Sequence, residues 1–335
     1  MPTLTVHSAG PGVSLQDMGR PGFAAQGLST GGATDRLALL EAAAILGTPP
    51  AAALEMFGFG GTFTTDTLTR IVLTGAQMQA QIAGNPVKPN ISTLLRPGEK
   101  LTIGGTTQGS YGYLSFAGGI TQPPVMGSRS THLTAGIGRA LRQGDTLPIG
   151  HDPRPLTGPM CLPRDDRFCG GVIRVMPGPQ TDFFDAATLV RFQETSFTRS
   201  PRANRQGVRL DQDGSGFTMT DGHNIPSDAI VSGDVQMTGD GIPYVLLSEC
   251  QTIGGYPRIA TVIPADLPKL AQAAVGAKLQ FQWLTVAQAD ATAISDTAVL
   301  RALVQSCTPV VRDPHDIADL LSYQLISGVT AGNDG

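Results

Sequence analysis

The sequence predicts a mainly β protein with a few helices, and three observations carry that prediction. It contains 42 glycines and 25 prolines among 335 residues, whereas average proteins have about 12% of the two combined. No Gly-X-Y repeat accompanies them, and apolar residues are interleaved along the chain, which argues against collagen and disorder. Short apolar runs between turn residues recur throughout. Frequent turns between short strands explain all three observations.

Six runs have the composition expected of β-strands. They are rich in β-branched and aromatic residues, and glycine or proline stands beside them. These runs are RIVLTG (70–75), YGYLSFAGG (111–119), VIRVMPG (172–178), YVLLSE (244–249), IATVI (259–263) and KLQFQW (278–283).

Helical patterns are fewer than strand patterns. In the first, Asp35 is a candidate N-cap and Gly47 a stop. The last opens with a capping box formed by Thr285 and Gln288, and we interpret it as a packed terminal helix. The predicted helical ranges are 35–47, 182–193, 266–276 and 285–306.

A composition shift in the middle of the chain indicates two domains. Residues 151–170 hold four prolines and no hydrophobic period, so we predict a linker there. The N-terminal domain then covers 1–150 and the C-terminal domain 171–284. A helical tail follows over 285–335, and within it we expect a short amphipathic helix and a frayed end over 308–335.

Charge and composition narrow the class of partners. Charged residues make up 15% of the chain, against about 25% in ordinary globular proteins, which indicates that part of the surface faces another polypeptide. A net charge of −4 gives no support to nucleic-acid binding. No apolar run is long enough to cross a membrane.

Cysteine and histidine usage favours a cytoplasmic protein without a metal site. The four cysteines form no CxxC pair, so we expect reduced thiols. The five histidines are far apart and have no metal-ligand spacing, and we therefore predict no metal.

The stretch QTIGGYP (251–257) interrupts two predicted strands at some cost. Gly254 and Gly255 lose backbone entropy on folding, and Pro257 lacks a donor for a sheet. One interpretation is close approach of the backbone to a ligand or convergence of N–H groups on an oxyanion. The other is a tight hairpin with Tyr256 as a buried lid.

The densest group of cations is RSPRANRQGVRL (199–210). Its guanidinium groups suit carboxylate or phosphate, and no acid lies among them. The alternative is a solvated loop with one arginine paired to Asp211 or Asp213. The four cations are Arg199, Arg202, Arg205 and Arg209.

Two further loops carry candidate polar groups. The loop 127–145 places Ser128 and Arg129 among glycines, which suits an oxyanion but is equally explained by turn chemistry. The stretch SLQDMGRPG places Asp17 and Arg20 around a turn, where an internal ion pair is the simpler interpretation. No GxxxxGK[ST] loop and no GxGxxG after a strand occurs.

Seven segments in order resemble the biotin-dependent carboxyltransferase-like family. This family includes the C subunit of 5-oxoprolinase, the Kip antagonist KipA and the related part of urea amidolyase, also called allophanate hydrolase subunit 2. The segments are SLQDMGRPG, GGATDRLAL, AALEMFGFGG, LTGA, AGGITQPPVMGSRST, SPRANRQGVRL and QTIGGYPRIATV. They cover most of the chain, from about residue 4 to 284, and leave out the tail.

The resemblance implies two cyclophilin-like β-barrel units and a heteromeric assembly. It implies the C subunit of an ATP-dependent 5-oxoprolinase, active only with two partners, an A subunit plus a Kip-inhibitor-like B subunit. ATP, bound as Mg-ATP and shared with a partner, is the expected cofactor. Two alternatives stay open: the carboxyltransferase part of a urea carboxylase, with biotin carried on a partner, and a non-enzymatic Kip-antagonist binding module.

The candidate site combines these motifs with the resemblance. We expect Asp17, Asp35 and Glu249 to be catalytic. Glu249 stands where the family commonly has Asp, and Gly31 replaces a family serine. The residues expected to bind substrate or phosphate are Arg20, Ser128, Arg129, Arg205, Arg209, Thr252, Gly254, Gly255 and Tyr256.

Overall fold

The computed structural model describes residues 1–220 and 225–311. The mainly β prediction is confirmed. The predicted short helix and frayed end fall mostly on residues 312–335, outside the described residues. Among the described residues, no helix is long and apolar enough to cross a membrane.

The first half of the chain forms a nine-stranded sheet that curls into a half-barrel. Its strands are β1 (Thr3–Ala9), β2 (Ser14–Gln16), β3 (Ala53–Phe57), β4 (Gly61–Thr65), β5 (Thr69–Ile82), β6 (Asn85–Pro86), β7 (Thr93–Leu95), β8 (Leu101–Phe116) and β9 (Thr146–Pro148). The path of the sheet runs β2-β3-β8-β4-β1-β9, and β5 joins β6, β7 and β8.

The second half forms a closed seven-stranded barrel. Its strands are β11 (Gly171–Pro177), β12 (Phe197–Asn204), β13 (Gly207–Asp211), β15 (Asp234–Met237), β16 (Pro243–Leu246), β18 (Arg258–Val262) and β19 (Lys278–Trp283). They follow the order β11-β18-β15-β16-β13-β12-β19. Strand β19 closes the barrel by pairing in parallel with β11, and the other barrel pairs are antiparallel.

Two small sheets complete the β structure. One joins β14 (Asp228–Ala229) to β17 (Ile253–Gly254). The other joins β10 (Met160–Cys161) to β20 (Thr308–Pro309), so the end of the described chain returns to the first half.

Five α-helices lie outside the sheets of the described chain. They are α1 (Arg36–Leu46), α2 (Ala186–Glu194), α3 (Leu267–Gln272), α4 (Val286–Ala291) and α5 (Asp296–Ser306). Asp35 caps α1 by accepting from the Ala38 amide, and the predicted Thr285/Gln288 capping box opens α4. The single helix predicted over 285–306 is wrong, because Ser295 caps a second helix and breaks the run.

The two halves share one hydrophobic core. Phe192 on α2 and Phe281 on β19, whose rings stack 4.6 Å apart, belong to the same buried cluster as Leu39 on α1 and Tyr113 on β8. A second cluster fills the half-barrel. The surface between the halves is therefore an apolar interior, and polar groups buried there need partners.

The segment predicted as a linker, 151–170, packs closely on the first half. Its Asp152 carboxylate holds the Arg70 guanidinium at 2.8 Å, and Phe168 is buried. The domain boundaries at 150 and 171 stay a prediction.

Candidate active site between the two halves

Arg205 crosses from the barrel into the first half and ties the two together. It lies in the turn between β12 and β13. Its Nε donates to Glu249 at 2.6 Å, and its Nη2 donates to the Gly32 carbonyl at 2.6 Å. Its Nη1 donates to Thr34 at 3.0 Å and also to Glu55. All three guanidinium nitrogens of this buried arginine are thus used by protein acceptors. We call Arg205, Glu249, Glu55, Thr34 and His132 the Arg205 cluster.

Glu249 is held as a carboxylate in this cluster. Burial alone would raise the pKa of Glu249, but the Arg205 charge and hydrogen bonds lower it below its ordinary value. Its second oxygen accepts from the amide and the hydroxyl of Thr134, both at 3.1 Å. At neutral pH Glu249 therefore accepts protons or hydrogen bonds and cannot act as an acid.

Glu55, on β3, is the second acid of the cluster. It accepts from the Thr34 amide at 2.8 Å and from the Tyr113 hydroxyl at 2.7 Å. Burial, and then the charge of Glu55, raises the pKa of Tyr113 far above its ordinary value, so the phenol keeps its proton. The Tyr113 oxygen also accepts from the Asp35 amide, which fixes the start of α1.

His132 joins the cluster to a serine hydroxyl. Its Nε2 lies 2.9 Å from Ser29 Oγ, and its Nδ1 lies 3.8 Å from Glu249 and accepts from the Ala135 amide at 3.2 Å. Burial lowers the pKa of His132, so the ring is neutral at pH 7. Because Nδ1 accepts, the proton belongs on Nε2.

This tautomer decides what the serine can do. His132 donates to Ser29, and it cannot remove the serine proton as a Ser-His-acid triad would require. The Ser29 hydroxyl hydrogen is left to point elsewhere. The arrangement makes Ser29 an oriented hydrogen-bond donor.

Asp17 is the centre of a separate polar nest. Its carboxylate accepts from the Gly19 amide at 2.8 Å, from Ser128 at 2.6 Å and from the Arg129 amide at 2.6 Å, and also from Ser130. Burial would raise the pKa of Asp17, but these hydrogen bonds lower it overall. Asp17 and Ser128 thus organise the loop.

Arg20 is the most deeply buried arginine among the predicted anion-binding residues. It is 1% exposed and donates through Nη2 to the Ser130 carbonyl. Its Nε and Nη1 have no hydrogen-bond partner within the described residues. Nη1 would lie 3.6 Å from a β-carbon at Gly31, immediately behind the loop that carries Ser29. Arg20 therefore has unused donors close to the Arg205 cluster.

Asp35 serves the helix and the core. Besides capping α1, it holds Arg167 Nε at 3.0 Å and accepts from Gln272 at 2.8 Å. Arg167 also binds Glu41 through both carboxylate oxygens, each at 2.7 Å. Asp35 therefore caps α1 and also neutralises a buried arginine, so capping describes only one of its two carboxylate oxygens.

A cavity of about 680 Å³ lies beside the Arg205 cluster, and we call it the helix-side cavity. Ser29, Thr34 and Ser248 line one side of it. Thr252, one of the predicted residues, also lines it. Its size falls in the range of ligand pockets, about 300–1,000 Å³. The Arg205 cluster thus borders an accessible space through Thr34 and Ser29.

A second cavity of about 600 Å³, the barrel-side cavity, opens on the other side of Ile230 and Cys250, which line both. Tyr256 lines it and is 53% exposed, so the buried-lid interpretation is wrong. Burial raises the pKa of Cys250 to about 12, so its thiol is protonated at neutral pH. The stretch QTIGGYP therefore contributes to two cavities.

The glycines of that stretch lie close to other side chains. A β-carbon on Gly254 would come within 3.0 Å of the Gln236 amide and of Ile230. Gly255 would meet Ile225 at 3.6 Å, an ordinary contact. Because Gly254 has no side chain, β17 can pair with β14 while it packs closely on Gln236. This is a structural reason for glycine at that position.

The remaining two predicted residues make no contact with the Arg205 cluster. Arg209 pairs with Asp211 at 2.6 Å on the barrel surface, as the solvated-loop alternative predicted, but the solvated loop itself is wrong because the segment forms the β12–β13 hairpin. Arg129 is exposed, and its Nε donates to the Gln122 carbonyl at 2.6 Å. No group of three metal-ligating side chains occurs in the described chain.

Sequence reasoning missed Glu55, His132 and Arg167. Glu55 had a usable signal, because it is an acid inside the apolar strand ALEMF. His132 gave none beyond its place after Ser130 and Thr131. Arg167 was hidden in the segment predicted to be a linker.

The comparisons with known proteins agree with this architecture. Residues 26–283 match the family described as carboxyltransferase domain, subdomain A and B. The C subunit of 5-oxoprolinase from Escherichia coli is 37% identical over 283 residues, which are 83% of this chain and 90% of that protein.

Two solved structures are similar over most of this chain. The protein TTHA0988 is 30% identical with a TM-score of 0.76, covering 84% of this chain and 55% of its own. The K. lactis urea amidolyase is 25% identical with a TM-score of 0.79, covering 93% of this chain and 21% of its own. This chain thus spans about half of the first protein and a fifth of the second. With most of its length matched by the family, this chain belongs to the carboxyltransferase domain family, subdomains A and B.

Proposed function

We propose that this chain is the C subunit of a 5-oxoprolinase, which couples ATP hydrolysis to the opening of 5-oxoproline into glutamate. The observation that carries the proposal is the similarity to the corresponding Escherichia coli protein over 90% of that protein's length. The low charged fraction of 15% supports a surface covered by partners. Those partners are an A subunit plus a Kip-inhibitor-like B subunit. The free cysteines support a cytoplasmic location.

The residues around the Arg205 cluster suit the handling of a lactam acid. Arg20, with donors unused on two nitrogens, is assigned to the substrate carboxylate. Ser29, oriented by His132, is assigned to the lactam oxygen as a hydrogen-bond donor. Glu249, held ionised, is the candidate base. Arg205 is a positioning residue, because its nitrogens are occupied in holding Glu249 and Glu55.

ATP fits this chain only in part. The charged residues of the helix-side cavity in the described chain are Arg36 and Asp296, paired at 2.6 Å, which leaves no free cation for a triphosphate. Arg129, exposed beside the Asp17 nest, is the residue that we assign to a phosphate. A partner polypeptide must supply the rest of the Mg-ATP site.

Reconstitution with the purified A and B partners tests the proposal. ADP release that depends on 5-oxoproline is expected from the complex of all three polypeptides and not from this chain alone. Glu249→Gln should lower kcat by about tenfold or more while the complex still forms. Glu99→Gln, on a surface turn, is the matched control. Turnover by the isolated chain, or a complex that ignores 5-oxoproline, would refute the assignment.

A second candidate function is carboxyl transfer to urea, favoured by the similarity to urea amidolyase over 93% of this chain. No Met-Lys-Met biotinylation sequence occurs in this chain, so biotin would be carried on a partner. Carboxylation of urea by a carboxybiotinylated partner plus this chain would establish it. Tight binding of the Kip-inhibitor-like partner without any turnover would favour the third alternative, a Kip-antagonist binding module.

A further inference from the structure

One wall of the helix-side cavity comes from a segment beyond the family match. Thr292, Ala293, Ile294, Asp296 and Val299 line this wall, whereas the match ends at residue 283. We call residues 292–299 the tail wall. Ser29, Thr34 and Ser248 also line the cavity and lie at or beside the Arg205 cluster.

Packing holds the tail wall in place. Leu303 of α5 packs on a buried cluster that includes Ala42 and Leu46 of α1. The β20 strand then pairs with β10. Arg36 at the start of α1 holds Asp296 at 2.6 Å, and both side chains are about half exposed, so this ion pair lies at the rim. The tail wall is therefore held by the ion pair at its rim and by the packing of α5 on α1.

The lining of the cavity is mostly apolar and carries no net charge. Ile294 is 67% exposed and Val231 is 54% exposed, and both line the cavity. Arg36 and Asp296, the charged lining residues in the described chain, neutralise each other. A multiply charged ligand would lose its hydration here without gaining a counter-charge.

Volume and polarity together define a ligand class. The cavity, at about 680 Å³, is of the size that takes drug-sized molecules, and a small polar lactam acid would fill only a minor part of it. The hydroxyls of Ser29, Thr34 and Ser248 offer hydrogen bonds to a ligand. The side chains of Ile294 and Val231 offer apolar contact.

We propose that the helix-side cavity binds an organic molecule with an apolar body and at most one charge, and that the tail wall selects it by size. This goes beyond the 5-oxoprolinase function, because such binding requires neither ATP nor a partner polypeptide. The two can therefore fail separately.

Fluorescence titration of the full chain with two naphthalene probes tests the proposal. Anilinonaphthalene sulfonate carries one negative charge, and N-phenylnaphthylamine is its neutral counterpart. Each should bind with one saturable site, and excess ATP should displace neither. Displacement of the probes by ATP would overturn the charge selection.

Matched substitutions locate the probes. Ala293→Trp fills the cavity and should weaken the binding of both probes by about tenfold or more. Ala302→Trp is the control, because Ala302 is an exposed alanine of α5 that does not line the cavity. Equal affinities in Ala293→Trp and the wild type, or equal losses in both variants, would overturn the proposal.

A second pair guards against misfolding of the tryptophan variants. Ile294→Glu adds a charge to the tail wall and should weaken the neutral probe, whereas Val304→Glu, on the same tail but outside the cavity, should not. Asp296→Asn leaves Arg36 without its counter-charge. This substitution should increase the affinity for the sulfonate probe about threefold relative to the affinity for the neutral probe. Equal affinities of Ile294→Glu and Val304→Glu for the neutral probe would contradict a role of the tail wall in binding. So would an Asp296→Asn variant that binds the sulfonate no more tightly relative to the neutral probe.

Discussion

The four acceptors around Arg205 give a mutational test at the scale of one residue. Lysine keeps the charge in Arg205→Lys but cannot reach Glu249, Glu55 and the Gly32 carbonyl together, so buried acceptors lose their donor. We expect the free energy of unfolding to fall by about 3 kcal/mol in urea denaturation. Arg209→Lys is the control, because its pair with Asp211 is partly exposed and should contribute about 1 kcal/mol or less. Equal losses of unfolding free energy in the two variants would contradict a structural role of Arg205 in joining its buried acceptors.

His132 should give the stability a pH dependence of known sign. The pKa of His132 is lower in the folded protein than in the unfolded chain, where the pKa of histidine is about 6.5. As pH falls below that value, the unfolded state takes up the proton first, and stability decreases. One proton gives a slope of at most about 1.4 kcal/mol per pH unit.

The comparison of wild type with His132→Gln isolates this residue. Urea midpoints at pH 7.5 and pH 5.5 should differ less in the variant than in the wild type. Glu249 does not confound the comparison, because its pKa is lowered and it stays ionised across this range. A variant with an unchanged pH dependence would show that His132 titrates normally.

The individual site residues were predictable to different degrees. Arg205 and Glu249 were identifiable from an arginine-rich segment and from an acid at the end of an apolar run. Their mutual contact was not, because a guanidinium at Arg205 has the same sequence signature whether it faces solvent or a buried acid. His132 depends on tertiary contacts to Ser29 and Glu249 that no local pattern encodes.

At the scale of elements, the turn before α1 explains the second glycine of GGATD, Gly32. Gly32 has φ +79°, and a β-carbon there would lie 2.6 Å from the Gly19 amide nitrogen. Gly12 has φ +75° with nothing within 4 Å of its β-carbon position. Both positions therefore carry the same backbone preference, and only Gly32 is crowded by backbone.

Alanine substitutions at these two glycines distinguish the cost of a left-handed backbone from the cost of steric crowding. Gly12→Ala should cost about 1–2 kcal/mol for the left-handed backbone alone. Gly32→Ala should cost at least about 1 kcal/mol more, since the methyl group displaces the Gly19 turn and the carbonyl that binds Arg205. Thermal melts of both variants measure the difference. Equal melting temperatures would contradict the crowding.

All six predicted runs overlap strands, because each alternates or stays apolar between turn residues, but other strands, such as β1 and β12, were not predicted. The run at 278–283 coincides with β19, and 70–75 lies inside β5. Strand ends were less predictable: β16 stops at Leu246, before Glu249 leaves the barrel for the first half. The curl of the first sheet follows from pairing over distance, for which the sequence carries no local signal.

For the whole molecule, the candidate site exists only because the halves meet. Glu55 and Arg205 are 150 residues apart in the chain. Of the residues expected to form the site, Arg205 and Glu249 do meet, and Arg205 also contacts Thr34 of the first half. Arg209 and Tyr256 lie elsewhere, because the barrel turns them towards its own surface and the barrel-side cavity. Strand order decides such placement, and residue type does not.

The shared core and the Arg205 cluster predict that the halves unfold together. Trp283, the single tryptophan, lies on β19 of the barrel and packs against Phe192, so its fluorescence reports on the barrel directly. Glu55 belongs to β3 in the first half, and Glu55→Gln weakens its bond to Arg205. The substitution should therefore lower the urea midpoint of Trp283 fluorescence as much as the midpoint of far-ultraviolet circular dichroism. Glu99→Gln, on a surface turn of the same half, should move neither. A Trp283 transition that ignores Glu55→Gln would show that the barrel unfolds independently and that the cluster does not couple the halves.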